Sequence, residues 1–332
     1  MRIAIRADAG ITQGTGHVMR CLTLAKSLLA HGHSVKFIGN VEGVPWLQKL
    51  LKLSQIEVMP TQKNFLNIAE IVSFKFDLVV IDSYEFEIED VNKLATKLPV
   101  FAIIDCPNDE LLIQGYLDQN LGAETRHNTY SNNVELKLLG SNYALVREEF
   151  LNIRLSGPSK IKNITNSNMV CFFGGSDPTG ASIQMAKILS LGPRPNLTFI
   201  APKKMHVELG NILGDRPLNL LSHTNELPTL IKSADTAISA AGTSAWDLAT
   251  VGIPSTYAAI AANQFDSFNA ITSNRVGIGL DFNTENETSY ERIVETIMSP
   301  ELREELFLNT RRLFTGDGAH LVSEELDLLF GR

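Results

Sequence analysis

Apolar positions along this chain fall into two alternating kinds of run. Short, β-branched stretches read as strands: Arg2–Arg6 (RIAIR), Val35–Ile38, Asp77–Ile81 (DLVVI) and Val100–Ile104 (VFAII). The last two are almost continuously apolar, the pattern of strands covered on both faces and hence of a parallel sheet. Helix-length segments lie between them. The clearest runs from His17 to about Ala30, with Val18, Leu22, Ala25 and Leu28/Leu29 recurring at three- and four-residue spacing on one face. His31-Gly32-His33 supplies its glycine stop, and the two histidines there are expected to be solvated.

The periodicity lapses in SGPSKIKNITNSN, rich in Ser, Asn, Gly and Pro. A second α/β series follows, with strands expected at Met169–Phe173, Leu197–Ile200 and Asp235–Ser239. The expected organisation is an N-terminal α/β domain over 1–150, a linker over 151–168 and a C-terminal α/β domain over 169–332. A closing helix over Ala319–Phe330 can return to pack on the first domain. The fold class is α/β, with two Rossmann-like domains facing a cleft and ligands outside the carboxyl ends of the strands.

At 332 residues the chain is long enough for two such domains. Its net charge of −8 and pI near 5.4, without a block of like charge, exclude a nucleic-acid binder that works by neutralising phosphates. Three widely spaced cysteines with no CxxC suggest neither a disulfide framework nor a cysteine zinc site. MRIAIRADAG lacks the apolar stretch of a signal peptide, and no run of about 18 apolar residues marks a membrane helix, so a cytoplasmic protein without a membrane partner is expected.

Candidate chemistry gathers in glycine loops at strand ends. Asp8-Ala9-Gly10-Ile11-Thr12-Gln13-Gly14-Thr15-Gly16-His17 leaves the first strand and enters the first helix, where unpaired N–H groups favour an anion. A dinucleotide fingerprint is the rival reading, but its third glycine position is Met19 and the loop is long for a tight turn. No cofactor is therefore expected. At the helix start, His17 should be disfavoured as an imidazolium and able to accept a proton. Asp8, Asp82 and Asp105 fall at strand ends, where they could orient a histidine, hold sugar hydroxyls, bind Mg²⁺ or simply cap the following turns. Tyr84 adds a phenol beside Asp82. No metal-ligand spacing stands out, so no metal is expected.

Two further loops in the second half, Phe173-Gly174-Gly175-Ser176-Asp177-Pro178 and Ala240-Ala241-Gly242-Thr243-Ser244, suit a nucleotide diphosphate. Asp177 is expected as an N-cap, with Pro178 at the first helical position. Neither loop continues into the Gly-Lys-Ser/Thr of a Walker A loop.

Taken in order, these motifs resemble a known family. GTGHVMRCLTLAKSL at Gly14–Leu28 is similar to the start of the UDP-2,4-diacetamido-2,4,6-trideoxy-β-L-altropyranose hydrolases of pseudaminic acid biosynthesis (PseG-like). The similarity continues through Arg6-Ala7-Asp8, Asp82-Ser83-Tyr84, Asp118-Gln119-Asn120-Leu121-Gly122, Phe173-Gly174-Gly175-Ser176-Asp177, Ala241-Gly242-Thr243-Ser244-Ala245-Trp246-Asp247 and Ala262-Asn263-Gln264, and so covers most of the chain. The later motifs are shared more loosely with MurG-like glycosyltransferases of the two-domain GT-B architecture.

The resemblance implies metal-independent hydrolysis of a UDP-linked sugar at its anomeric carbon, with UDP as product; direct attack by water from the face opposite the leaving group predicts inversion, and a monomer is expected. It implies His17 as the catalytic residue. It places Arg6, Asp8, Gly14, Thr15, Gly16, Arg20, Asp82, Tyr84, Asn263 and Gln264 on the substrate. It places Gly174, Gly175, Ser176, Asp177, Gly242, Thr243, Ser244 and Asp247 on the nucleotide, Asp247 at the ribose. Three departures bear on the sugar and the nucleotide: Ser83 stands where histidine is common, Asp247 replaces a glutamate, and Cys106-Pro107-Asn108-Asp109 follows Asp105 in place of an Asp-Leu-Ala-Asp-like run. The alternatives are a MurG-like glycosyltransferase using a UDP-sugar donor and a noncatalytic nucleotide-sugar-binding protein.

Overall fold

A computed structural model of the chain describes residues 1–10, 14–130, 133–174, 177–214, 217–222 and 226–331. It divides into two units, Met1–Val146 with Gly316–Arg332, and Arg147–Thr315.

The first unit runs β1 (Arg2–Ala7), α1 (Gly16–Ala30), β2 (Ser34–Gly39), α2 (Pro45–Leu53), β3 (Glu57–Pro60), α3 (Ile68–Ser73), β4 (Leu78–Asp82), α4 (Ile88–Ala95), β5 (Val100–Ile103), β6 (Gly115–Asp118) and β7 (Leu136–Leu139). Its strands form one parallel sheet in the order β3-β2-β1-β4-β5-β6-β7. The continuous apolar runs are explained by this placement. β4 and β5 are buried at every residue in the middle of the sheet, with helices on both faces. β3 is short, largely exposed and at the edge, which is why periodicity alone does not reveal it.

The second unit runs α5 (Glu148–Leu151), β8 (Asn168–Phe172), α6 (Ala181–Leu189), β9 (Asn196–Ile200), α7 (His206–Leu213), β10 (Leu218–Leu221), α8 (Leu227–Lys232), β11 (Thr236–Ala240), α9 (Ser244–Val251), β12 (Ser255–Ala258), α10 (Phe265–Ser273), β13 (Ile278–Leu280), α11 (Asn286–Met298) and α12 (Pro300–Leu313). Its parallel sheet has the order β10-β9-β8-β11-β12-β13. Residues 151–168 cluster with this unit, and the division falls just before Arg147.

In both sheets the strand order reverses direction beside the first strand, between β1 and β4 and between β8 and β11. Loops leaving neighbouring strands at such a point diverge to opposite faces and open a crevice at the carboxyl edge. The glycine loop before His17 and the segment after Asp82 flank the first of these points. The Gly174 loop and the Ala241–Thr243 loop flank the second.

α13 (Gly318–Phe330) belongs to the first unit, where Val322 and Leu326 are fully buried in the core formed with α1. Ser27 donates a hydrogen bond to the Ala319 carbonyl (2.9 Å) and accepts one from Ser323 (2.8 Å). The expectation of solvated histidines after α1 is corrected here. The His33 side chain is 8% exposed with Nε2 2.6 Å from Asp327, and His31 Nε2 lies 2.9 Å from His320 Nδ1. α13 covers them, a long-range packing that local sequence does not announce.

Gly318 tests how closely α13 must approach. A Cβ there would lie 2.3 Å from the Ala144 carbonyl oxygen and 2.5 Å from the Tyr143 carbonyl carbon, both backbone atoms that cannot swing aside. Gly318→Ala should therefore destabilise the protein by roughly 1–3 kcal/mol, as overpacking does. Urea unfolding would show this as a lower midpoint against a near-silent Gly157→Ala, where a Cβ meets nothing within 4 Å.

Candidate active site

His17 and Arg20 stand three residues apart in the first turns of α1, and Cys21 follows, so all three project from one side of the helix. That side faces Asp82, the last residue of β4, which is fully buried. Asp82 Oδ1 lies 2.5 Å from His17 Nδ1. Arg20 donates from Nε to Asp82 Oδ2 (2.6 Å) and from Nη2 to Asp82 Oδ1 (2.7 Å). The same guanidinium donates from Nη1 to Asp105 Oδ1 (2.8 Å), so it joins two carboxylates. Asn120 carries the chain outward, donating from Nδ2 to Asp105 (2.9 Å) and to Asp118 (2.8 Å), and Asp118 also accepts the Tyr130 hydroxyl at 2.5 Å.

Burial acts to raise the Asp82 pKa, but the Arg20 guanidinium and His17 outweigh it and hold the carboxyl well below the usual carboxylate range. Burial would lower the Arg20 pKa, and Asp105 and Asp82 together raise it well above its ordinary value. Burial and the Asp82 charge push the Cys21 thiol up, which keeps it protonated and inert as a nucleophile.

An ionised carboxylate can only accept, so His17 Nδ1 carries the proton of the 2.5 Å contact with Asp82. The Arg20 Nη2 at 3.4 Å from Nδ1 is then a neighbour spent on Asp82, not a donor to the ring. This tautomer leaves the Nε2 lone pair free to take a proton. The Tyr84 ring meets His17 edge-on at 4.7 Å between centroids, and is itself half exposed.

Arg6 and Asp8 are brought together differently. Both are fully buried, and Asp8 accepts from both Arg6 Nη atoms (2.5 and 2.9 Å) as well as from the backbone N–H of Asn40 (2.7 Å) and Asn64 (2.9 Å). Arg6 Nη2 also donates to the Phe65 carbonyl (3.1 Å), and its guanidinium covers the Phe86 ring at 4.6 Å. The pair ties the start of the glycine loop to the loops after β2 and β3. Gly14 has φ +85°, which only glycine adopts freely, and it pairs with Gly10 through two backbone hydrogen bonds (2.9 and 3.2 Å). Thr15 is the N-cap and Gly16 begins α1. Ile11, Thr12 and Gln13 lie outside the described residues.

In the second unit, Gly175 and Ser176 lie outside the described residues, while Gly174 (φ +84°) is exposed with open space at its Cα. Asp177 is a cap, but of a later helix start than expected. Its carboxylate accepts from the backbone N–H of Ala181 (2.8 Å) and Ser182 (2.9 Å), and α6 begins at Ala181, so Pro178 is not its first residue. The positive φ of Asp177 and of Gly180 turns the chain once more before the helix can start. Thr243 and Ser244 open α9, and Gly242 lies against Gln264, whose Oε1 accepts from the Ile260 N–H (3.0 Å). The Gly242 loop and the exposed Asn263 are thus neighbours on one edge. Asp247 is buried and spent on Arg147, which donates from Nη2 (2.7 Å), Nε (3.0 Å) and its backbone N–H (3.2 Å). Burial nevertheless pushes the Asp247 pKa up against Arg147. Sequence reasoning missed Arg147, which has no local spacing to Asp247.

No family model matches the chain. The chain is 24% identical to the spore coat polysaccharide biosynthesis protein SpsG of Bacillus subtilis, over 99% of each chain. It is 26% identical over 269 residues to an uncharacterized protein of Methanocaldococcus jannaschii, a match that takes 76% of this chain and about half (54%) of that relative. Among solved structures, the glycotransferase of kitacinnamycin superposes with a TM-score of 0.70 at 14% identity, over 98% of both chains. MurG of Acinetobacter baumannii superposes with a TM-score of 0.66 at 15% identity, over 99% of this chain and all (100%) of that one. The fold is the GT-B fold. Within it, no helix among the described residues is long and apolar enough to cross a membrane, and no group of three or more His, Cys, Asp or Glu among them is arranged to hold a metal ion.

Asp82→Asn should cost about 3–5 kcal/mol, because it leaves the buried Arg20 charge short of one partner. The folded-state pKa of Asp82 is depressed, so its stabilisation is fully present above the unfolded value near ~4 and is lost only as pH falls through the lower folded value. Denaturant unfolding should accordingly give a constant gap between wild type and variant from neutral pH to about 5, shrinking only in stronger acid. A gap that closes already between pH 8 and 6 would contradict an ionised Asp82.

Proposed function

We propose that this protein hydrolyses a UDP-linked diacetamido-trideoxy sugar at its anomeric carbon, releasing UDP and the free sugar for nonulosonic acid synthesis of the pseudaminic type. The observation that carries the reading is the His17–Asp82 pair at the end of the glycine loop, with Nδ1 committed to the carboxylate and Nε2 left as a base. A GT-B fold and a relative named for spore coat polysaccharide biosynthesis support sugar chemistry, and the ordered motifs around GTGHVMRCL support a hydrolase in particular.

Nε2 takes a proton from a water molecule as the water oxygen bonds to the anomeric carbon. The bond from that carbon to the diphosphate oxygen breaks, and the diphosphate leaves with the electron pair, needing little acid help. Asp82 holds the ring and stabilises the imidazolium that forms. Attack from the face opposite the leaving group inverts the anomeric centre without a covalent intermediate. In the second unit, Gly174, Gly175, Ser176, Gly242, Thr243 and Ser244 are proposed to hold the nucleotide with backbone N–H groups and hydroxyls. Asp177 acts there by shaping the turn into α6, while Asn263 and Gln264 face the sugar. Asp247 at the ribose is the least direct of these assignments, because its carboxylate already serves Arg147.

The GT-B likeness favours one rival, a glycosyltransferase that delivers the sugar to an acceptor instead of water. Purified protein given a UDP-diacetamido-trideoxy sugar and no acceptor should release UDP steadily, in the presence of excess EDTA. Release that waits for an acceptor would identify a transferase, and binding without turnover a noncatalytic protein. His17→Ala should lower turnover about 10²–10⁴-fold with little change in UDP affinity. In ¹⁸O-labelled water the label should appear in the sugar. Label in the phosphate would mean attack at phosphorus and end the anomeric mechanism.

A further inference from the structure

The proposed substrate carries a diphosphate, yet neither arginine that the sequence sets beside the glycine loop has charge to spare for it. Arg20 is divided between Asp82 and Asp105, and Arg6 is enclosed by Asp8 and backbone carbonyls. Lys63 differs from both. It lies in the loop after β3, is half-buried, and forms no ion pair among the described residues. Around Gly10 the nearest outside atoms are the Glu42 carbonyl oxygen and the Lys63 ammonium, which stands 3.9 Å from where a Gly10 Cβ would be.

The Arg6–Asp8 pair explains how the ammonium comes to be there. Asp8 accepts the N–H of Asn64, Arg6 donates to the carbonyls of Gln62 (3.4 Å) and Phe65 (3.1 Å), and Asn40 Nδ2 donates to the Thr61 carbonyl (3.4 Å). The backbone on both sides of Lys63 is thereby bracketed to the first residues of the glycine loop. A lysine on an unbracketed loop would gain little by pointing at a glycine. Here the bracket removes much of the ordering cost before any ligand arrives.

We propose that Lys63 binds the phosphate attached to the scissile oxygen, supplying the positive charge that Arg6 and Arg20 cannot. This rests on the hydrolase reading in one respect: the anomeric carbon must stand at His17, and the phosphate is then a single oxygen away from it. Gly10 and Gly14 are hydrogen-bonded to each other in the loop that delivers His17 to the start of α1, and Lys63 stands over Gly10 of that same loop. The absence of a Cβ at Gly10 keeps the space between the ammonium and the loop open.

Calorimetric titration with UDP and with uridine separates the charge contact from the rest of the nucleotide. Lys63→Ala should weaken UDP binding roughly threefold to tenfold at low ionic strength, leave uridine binding unchanged, and lose most of its effect at high salt. Lys63→Arg, which keeps the charge, should bind UDP close to wild type. Equal UDP affinity in wild type and Lys63→Ala overturns the proposal, as does a parallel loss of uridine binding. A Lys63-dependent UDP affinity together with no acceptor-free UDP release would sink the hydrolase reading alone. A wild-type protein that binds no UDP would overturn both.

Discussion

A guanidinium buried between two carboxylates governs the first unit's carboxyl edge. Arg20 is 3% exposed, and stripping water from it is costly unless that charge is met at close range by fixed partners. Asp82 and Asp105, at the ends of adjacent strands, meet it from two directions, and Asn120 holds Asp105 from behind. The arrangement is all-or-none, since any one member removed leaves an uncompensated charge or an empty donor. The orientation of His17 is a consequence of it, because the oxygen that accepts from its Nδ1 is on a carboxylate that Arg20 keeps ionised.

The two units share one topological device and line it with different residues. In each, the loops at the strand-order reversal come from the first strand of the sheet and its later neighbour. The first unit fills that edge with charge: Arg6, Asp8, His17, Arg20, Asp82 and Asp105. The second leaves it to glycine, backbone N–H groups and hydroxyls, and turns its acidic residues inward, Asp177 onto the first N–H groups of α6 and Asp247 onto Arg147. A base and its orienting acid need a rigid, dry setting. A phosphate needs converging N–H groups and little steric hindrance, which glycine turns supply.

Charge near a candidate site is therefore a poor guide to what is available for a ligand. Two arginines and three aspartates stand around the glycine loop, yet Arg6, Arg20, Asp8 and Asp82 are consumed by one another. Their work is to position: Arg6 and Asp8 for the loop after β3, Arg20 and Asp82 for His17. Among the described residues around the loop, the Tyr84 phenol is half exposed and Lys63 is half-buried without an ion pair.

Much of this was legible in the chain itself. Apolar runs of strand length separated by helix-length periodicity establish two parallel-sheet units, because burial on both faces leaves no other pattern open to a central strand. Glycines followed by a histidine mark where the first loop enters a helix, and the spacing of His17, Arg20 and Cys21 puts them on one side of α1 by helical geometry alone. Partnerships were not legible. That Asp82 meets both His17 and Arg20, that Asp247 meets Arg147 across 100 residues, and that His33 lies under a helix from the far end of the chain follow from which strands pair and which helices dock. Short edge strands such as β3 escaped for a related reason: their order comes from hydrogen bonds to a neighbour, while their own side chains remain in solvent. Local periodicity encodes which face of an element is buried. Only the closed sheet decides which residue, tens of positions away, is waiting on the other side.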